Sequence, residues 1–208
     1  MEINDIFKER VKEWFNNKGD VYHRINYPEL NKDSVVFDVG GYMGTFTESI
    51  YTRFSCNVHV FEPVKEFYDV CDFKFSHIPN IRVHNYGLSS ESKKSQIYLS
   101  GDASSITSME GVNTEIIELR EISSVIKDLG VTGIDLLKIN IEGEEYNLME
   151  RLTSFPQLLS KIKNIQIQYH TFIHRAELRR SRINKSLLNT HECTWSYDWV
   201  WENWKLKE

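Results

Sequence analysis

The sequence predicts an α/β fold of the doubly wound class, in which a mostly parallel sheet carries helices on both faces. Apolar strands at 34–38, 57–62 and 81–87 alternate with two amphipathic helical segments, so the first 87 residues read β-α-β-α-β. This order implies right-handed crossovers and parallel strands. Further strands are predicted at 134–139 and 162–169, each followed by helical periodicity, and the alternating aromatic stretch 193–204 predicts one final strand.

The length is that of one domain. The chain has 208 residues, enough for a full core, and no linker, repeat or low-complexity tract divides it. We expect a single domain over 1–208, with an N-terminal helix and loop at 1–30 that cover the sheet of a core at 31–208. The helix is predicted from one apolar stripe, formed by Ile3, Phe7, Val11, Trp14 and Phe15.

Charge and cysteine content restrict partners and compartment. The chain has 25 Lys and Arg against 30 Asp and Glu, a net charge of −5, which argues against a chain-wide nucleic-acid surface. Its three cysteines are odd in number and lack C-x-x-C spacing, which disfavours a disulfide framework and a structural zinc site. No apolar run approaches 18 residues, and the N-terminus does not resemble a signal peptide. We expect a cytoplasmic protein without a membrane span, and the oligomeric state stays open.

The first strand leads into a glycine-rich turn. Asp38 is followed by Gly40, Gly41 and Gly44, the last of which stands at the head of a helix. Such a turn directs backbone N–H groups and a helix N-terminus toward a ligand, and glycine lets the backbone come close. The spacing D-x-G-x-x-x-G does not fit the dinucleotide fingerprint G-x-G-x-x-G.

An acid ends the second strand. Glu62 stands where a carboxylate can accept hydrogen bonds from both hydroxyls of a ribose. Together with the glycine turn, it indicates an adenosine cofactor without a phosphate group. The adenine is expected next to the third strand, near Asn85, Tyr86 and Gly87, although Tyr86 has the alternative role of a packed aromatic.

A serine-rich segment at 101–109 separates two segments that alternate apolar and polar residues, 95–99 and 114–119, and that we interpret as a strand pair. Ser105 and its neighbours are candidates for ligand contact through their hydroxyl groups. A solvated loop is the alternative interpretation.

Candidate catalytic residues follow the later strands. Lys138 interrupts a buried strand, so it must be paired, and it either orients a substrate hydroxyl or holds Glu142. Glu142 lies at the strand's carboxyl tip, whereas the acids at 144–145 complement the positive end of the next helix. His170 ends another strand, and its ordinary pKa suits a general base near neutrality. A structural histidine is the alternative.

Three motifs, in order, resemble class I S-adenosylmethionine-dependent methyltransferases and, within them, the FkbM-like group. Asp38-Val-Gly-Gly-Tyr-Met-Gly44 is similar to that family's D-V-G-A-N-x-G, Val60-Phe-Glu-Pro63 to its F-E-P, and Lys138-Ile-Asn-Ile-Glu-Gly-Glu-Glu145 to its K-I-D-V-E-G-x-E. The resemblance implies a Rossmann-like methyltransferase fold with a seven-stranded sheet whose last strand is antiparallel. It also implies S-adenosyl-L-methionine as cofactor, S-adenosyl-L-homocysteine as product, and Tyr42 and Pro63 at the cofactor.

Two positions depart from the family pattern. Tyr42 replaces the Asn of the glycine turn, and Asn140 replaces the Asp of K-I-D-V-E-G. Asn140 can donate and accept hydrogen bonds at the reacting centre, but an amide is neither a base nor a strong ligand for a hard cation. We therefore predict that no metal is required.

The resemblance implies an O-methyltransferase that acts on a hydroxyl of a small molecule, most plausibly a sugar, a glycan or a secondary metabolite. One alternative is a nucleic-acid methyltransferase that contacts phosphates through Arg175, Arg179 and Arg182, although such a face is otherwise simply solvated. Net acidity counts against it. The other alternative, suggested by Tyr42 and Asn140, is a cofactor-binding protein without catalysis.

Overall fold

The protein is described by a computed structural model over residues 3–100, 103–105 and 113–208. The helices are α1 (Ile3–Asn16), α2 (Gly19–Tyr22), α3 (Thr45–Phe54), α4 (Lys65–Phe75), α5 (Ile122–Asp128), α6 (Glu145–Thr153), α7 (Pro156–Leu159) and α8 (Ala176–Leu187). The strands are β1 (Val35–Val39), β2 (Asn57–Phe61), β3 (Ile81–His84), β4 (Gly87–Ser89), β5 (Lys93–Ser100), β6 (Ala103–Ser105), β7 (Asn113–Glu121), β8 (Ile134–Ile139), β9 (Ile162–Ile167), β10 (His191–Tyr197) and β11 (Trp201–Leu206).

Seven strands form the main sheet, in the order β10-β11-β9-β8-β1-β2-β3. Strand β1 pairs in parallel with β2 and β8, and the parallel pairing extends to β3 and β9. The last strand, β11, runs antiparallel to both of its neighbours. The predicted doubly wound sheet, mostly parallel with an antiparallel last strand, is confirmed.

Helices cover both faces because successive side chains of each strand point to opposite sides. Phe37 of β1 belongs to one buried cluster together with Leu148 of α6. Val36, its neighbour in the chain, belongs to another, together with Ile50 of α3. No helix among the described residues is long and apolar enough to cross a membrane.

The C-terminal aromatic stretch at 193–204 was expected to be one strand, and this expectation is wrong. It is an antiparallel hairpin of β10 and β11, whose turn is closed by a 2.8 Å hydrogen bond from the Val200 N–H to the Tyr197 carbonyl. The turn residues Trp199 and Val200 are as buried as Trp201, the first residue of β11, so apolar patterning continues through the turn and conceals it. Trp14 of α1 packs against this hairpin.

A second sheet, in the order β4-β7-β5-β6, was not predicted. Its antiparallel pair β5 and β7 is the predicted strand pair, but β4 arises from the end of the segment 81–87, which was expected to be one strand. The chain changes sheets at Gly87, where a Cβ would lie 2.7 Å from Leu119 and 3.3 Å from Pro63. A side chain at the crossing would therefore require Leu119 to move.

Candidate active site

A cleft of about 790 Å³, counting the space open to solvent, lies at the carboxyl edge of β1, β2 and β8. Its polar side is formed by Gly40, Tyr42, Glu62, Asn140, Glu142 and Glu144, and its apolar side by Pro63, Val64, Phe67, Leu88, Ile97, Ile117 and Leu119. The second sheet therefore supplies part of the apolar wall, through Leu88, Ile97, Ile117 and Leu119.

The glycine turn lies directly against the end of β8. Gly40 has φ 89°, and its N–H donates to the Phe61 carbonyl at 3.0 Å. A Cβ at this position would lie 1.9 Å from the Asn140 carbonyl oxygen, and at Gly44, which has φ 74°, it would lie 2.7 Å from Phe75. Neither position tolerates a side chain, so the close approach of the two strand ends depends on glycine.

A buried ion pair supports the turn from within the sheet. Lys138 Nζ lies 2.8 Å from Asp38 Oδ1 and donates to the Gly40 carbonyl at 2.8 Å, while the Thr47 hydroxyl donates to Asp38 Oδ2 at 2.7 Å. The pair is buried because Asp38 and Lys138 are opposite each other in the pairing of β1 and β8. The expectation that Lys138 holds Glu142 is wrong, and Lys138 does not line the cleft.

Glu62 closes the turn from the side of β2. Its carboxylate accepts from the Tyr42 N–H at 2.7 Å and from the Val64 N–H at 3.0 Å. Burial raises the pKa of Glu62 to about 7, although these two hydrogen bonds oppose the rise. Tyr42 itself adopts φ 47°, the left-handed region that Asn tolerates better than Tyr, and packs against Phe67 at 4.5 Å between ring centroids.

Residues 85–87, expected near the adenine, divide into two groups. Gly87 lines the cleft, whereas Asn85 and Tyr86 do not. The Asn85 amide donates to the Glu62 and Pro63 carbonyls at 3.2 and 3.3 Å, and Arg120 lies 4.0 Å above the Tyr86 ring.

The serine-rich segment contributes only part of its chain to the structure. Residues 101–102 and 106–112 lie outside the described residues, and so does the side chain of Ser105, whose backbone belongs to β6. Its expected ligand contact stays a prediction.

Asn140 presents an unsatisfied acceptor to the cleft. Its Oδ1 atom is buried and accepts no hydrogen bond from any group that the structure describes. An orphaned acceptor of this kind costs roughly 1–3 kcal/mol unless a ligand or water donates to it. Asn140 belongs to the cleft lining together with Gly40, so this acceptor is a candidate partner for a ligand that carries N–H donors.

His170 lies between two carboxylates. Its Nε2 is 3.3 Å from Glu142 Oε2 and its Nδ1 is 3.0 Å from Glu145 Oε1, which also accepts from the His170 backbone N–H at 2.8 Å. The other oxygen of Glu145 accepts from the Gly143 N–H at 2.7 Å. Glu145 therefore ties the turn after β8 to the segment after β9.

This arrangement changes the role expected of His170. Burial lowers the pKa of His170, but hydrogen bonds and charge from Glu142 and Glu145 outweigh burial and raise it to about 10. This pKa favours a protonated imidazole at neutral pH, which has no lone pair with which to accept a proton, so the general-base role of His170 stays a prediction that this geometry does not favour. Of the three residues, only Glu142 lines the cleft. It adopts φ 51°, and its side chain is 29% exposed.

Sequence reasoning missed the roles of Glu144 and Glu145, which it assigned to the helix dipole. Glu144 is buried in the cleft wall and accepts from the Ser89 hydroxyl and, at 2.9 Å, from the Asn147 amide. Glu145 is fully buried. The sequence does contain a signal for Glu145, because this residue is the last of the segment 138–145 that is similar to K-I-D-V-E-G-x-E.

The cleft is acidic. Its described lining includes Glu62, Glu142 and Glu144 and no Lys, Arg or His. The arginine face expected on α8 is in part neutralised, because Arg179 donates to Glu150 at 2.8 and 2.7 Å. Among the described residues, no group of three or more His, Cys, Asp or Glu side chains is arranged to hold a metal ion.

Comparison with known proteins identifies the family of this chain and several solved structures with a similar fold. The methyltransferase FkbM domain matches residues 38–181. A search of curated proteins finds no match.

Among solved structures, a candidate rRNA methylase from Clostridium thermocellum has a TM-score of 0.57 at 7% identity, covering 93% of this chain and 96% of its own. The Methanococcus jannaschii fibrillarin pre-rRNA processing protein has a TM-score of 0.53 at 10% identity, covering 87% and 70%. The METTL16 MTase domain has a TM-score of 0.53 at 10% sequence identity, and the match covers 93% of this chain and 68% of that domain. At these identities the likeness shows the fold alone.

Proposed function

Because the chain belongs to the FkbM methyltransferase family and uses S-adenosyl-L-methionine as cofactor, we propose that it is an O-methyltransferase for a small, neutral, hydroxylated acceptor. Sugars, glycans and hydroxylated secondary metabolites are acceptors of this chemistry. The observation that carries the proposal is the cleft, whose described lining holds three glutamates and no basic side chain.

The cofactor fits the two walls of the cleft. The apolar wall from Pro63 to Leu119 suits the adenine, and each carboxylate oxygen of Glu62 keeps a lone pair for a ribose hydroxyl. The orphaned Asn140 Oδ1 beside Gly40 suits the ammonium group of the methionine portion. When bound, the cofactor supplies an electrophilic methyl group on a sulfonium sulfur.

The chain's own task is to position an acceptor hydroxyl and remove its proton. We assign the proton acceptor to Glu142, because it lines the cleft beside Asn140 and keeps part of its carboxylate exposed. Protonated His170 orients that carboxylate, and Glu145 orients His170. Lys138 acts at a distance, by holding the glycine turn through Asp38.

A nucleic-acid acceptor is less well supported, although the similar solved structures include rRNA methylases and an rRNA-processing protein. A polyanion approaching this cleft meets carboxylates rather than cations, and like charges disfavour binding. Arg179, the centre of the predicted phosphate-binding face, is already engaged by Glu150. The remaining alternative is a protein that binds the cofactor without catalysis. Only an assay of methyl transfer distinguishes it from the proposed methyltransferase.

The experiment is methyl transfer from labelled S-adenosylmethionine to three acceptor pools, namely fractionated glycans, small metabolites and RNA, with EDTA present because no metal is predicted to be required. We expect label in a glycan or small-metabolite fraction. Glu142→Gln should reduce the rate by about 10²–10⁴-fold, the usual share of a positioned base. Label confined to RNA, or no transfer to any pool, would contradict the proposal.

Cofactor binding is measured separately by calorimetry with S-adenosylhomocysteine. Glu62→Ala should weaken binding by roughly 1–3 kcal/mol, because ribose donors lose their acceptor. Glu142→Gln serves as the matched control and should bind the product like the wild type. Equal affinity of Glu62→Ala and the wild type would contradict the assignment of Glu62.

A further inference from the structure

A second cleft lies at the opposite edge of the main sheet. It has a volume of about 540 Å³, counting the space open to solvent, and shares no lining residue with the cofactor cleft. Asn164 early in β9 and Lys205 late in β11 are paired opposite each other in its floor, and residues between Tyr22 and Glu29 cover it. Since β9 begins here and β11 runs antiparallel to it, this is the amino-terminal edge, away from the site of methyl transfer.

The floor carries an unpartnered polar group. Asn164 is only 2% exposed, and its amide nitrogen donates to Glu29 Oε1 at 3.0 Å and to the Asp135 carbonyl at 3.2 Å. Its Oδ1 atom accepts no hydrogen bond from any residue that the structure describes, and no described acid forms an ion pair with Lys205. The cleft thus offers an acceptor, the amide oxygen of Asn164, and a donor, the ammonium group of the exposed Lys205, on two residues that are paired in the sheet.

The wall is aromatic, and an irregular strand builds it. Cys193 pairs with Trp204 and Trp195 with Asn203, so Thr194 is an extra residue in β10. This bulge brings Trp195 to the face of the sheet that carries Asn203, since directly opposed residues of antiparallel strands share a face. Trp195 lines the cleft together with His23 and with Tyr22, whose side chain is 58% exposed.

The ring planes are inclined rather than parallel. Trp195 and His23 have centroids 5.1 Å apart and planes at 36° to each other. Two flat plates would hold a nucleobase between them, because base stacking requires parallel faces. His23 and Trp195 pack against each other and form no such slot, whereas the exposed ring of Tyr22 leaves a face open to the C–H groups of a pyranose ring.

We propose that this cleft is a second ligand site, which binds a neutral pyranose unit of a saccharide. The hydroxyl groups of a pyranose both donate and accept, and the floor and rim supply both kinds of partner in Asn164 and Lys205. One acid, Glu29, and one base, Lys205, balance the charge of the lining, which favours an uncharged ligand. The proposal stands whether or not the acceptor of the methyl group is itself a sugar.

The test is saturation-transfer-difference NMR on the full chain with four neutral methyl pyranosides, of glucose, galactose, mannose and N-acetylglucosamine, and with uridine as the comparison ligand. Tyr22→Ala removes an exposed ring of the wall and leaves the buried core intact. Phe73→Ala, which removes a ring that is 87% exposed on α4, is the matched control. Glu142→Gln reports on binding at the methyl-transfer site.

We expect at least one pyranoside to receive magnetisation. Its affinity should fall about tenfold in Tyr22→Ala, as for the loss of roughly 1.4 kcal/mol of ring contact, and should stay unchanged in Phe73→Ala and Glu142→Gln. Binding that is lost in Glu142→Gln but kept in Tyr22→Ala would place the sugar in the acceptor site and overturn the proposal. Transfer to uridine alone, or to no ligand, would overturn it as well.

Discussion

Glu145→Gln tests whether a charged histidine orients the proton acceptor. In the wild type, Glu142 and Glu145 together raise the pKa of His170 from the ordinary 6.5 to about 10, a difference worth roughly 5 kcal/mol in favour of the protonated imidazole. Glutamine keeps the size and one acceptor oxygen, replaces the other oxygen by an N–H donor, and removes one of the two charges. If the two acids contribute about equally, the pKa of the variant should fall at least halfway back toward 6.5, because burial still lowers it.

The sign of the effect follows from the raised pKa. Stabilisation by the charged imidazole is fully present below 6.5 and is lost as the pH rises through the pKa of the folded state. Loss of the proton removes the positive charge beside Glu142 and leaves the ring one N–H for two acceptors, which weakens its hold on the Glu142 carboxylate. The rate of methyl transfer by Glu145→Gln should therefore decline between roughly pH 7 and 9, while that of the wild type holds until about pH 10.

The assay is the initial rate of methyl transfer from pH 6 to pH 10, combined with NMR titration of the His170 ring in the wild type and the variant. Glu150→Gln is the matched control, because Glu150 lies on the same helix and pairs only with Arg179 at the surface. A Glu145→Gln profile with the shape of the wild type, merely scaled down, would refute the reasoning. A histidine that titrates near its ordinary pKa in the wild type would refute it independently of any acceptor.

Three further predictions concern stability and cofactor binding. Lys138→Met should destabilise the fold by roughly 3–5 kcal/mol in urea unfolding, because it leaves the buried Asp38 carboxylate without its partner. The control Lys163→Met breaks an ion pair whose lysine is 65% exposed and should cost less than about 1 kcal/mol. Equal losses of stability in the two variants would contradict this prediction. Gly40→Ala should abolish binding of S-adenosylhomocysteine in calorimetry, since the new Cβ would lie 1.9 Å from a backbone oxygen. Gly130 also has a positive φ, but a Cβ there would have no atom within 4 Å. The control Gly130→Ala should therefore cost about 1–2 kcal/mol of stability and leave binding intact. Burial, with nearby positive charge, lowers the pKa of His59 to about 4, so the unfolding free energy should fall by up to about 3 kcal/mol between pH 6.5 and 4, and less in His59→Asn.

Local patterns determined the class of fold. Hydrophobic periodicity predicted the strands of the main sheet and the helices that cover it. A helix buried on one face, or a parallel strand buried on both faces, has a characteristic spacing of apolar residues in the sequence. The glycine turn at Gly40 and the acid at Glu62 were found for a similar reason, since turn geometry and strand ends are set by adjacent residues. These signals, with the family motifs, predicted the confirmed fold and cofactor.

Only the tertiary structure decided which distant groups meet. The partner of Lys138 is Asp38, one hundred positions earlier, because strand pairing and register place them side by side, and nothing near Lys138 in the chain encodes that register. Strand pairing also created the second sheet, since β4 joins β7 rather than continuing β3.

The chemistry of His170 was decided in the same way. Its ordinary pKa predicted a base, but the fold brings Glu142 and Glu145 within 3.3 and 3.0 Å of its two ring nitrogens. Charges at such distances in a buried site outweigh the intrinsic properties of the side chain. The residue type was therefore determined by the sequence, and its protonation state by the packing of two carboxylates that only the folded chain brings together.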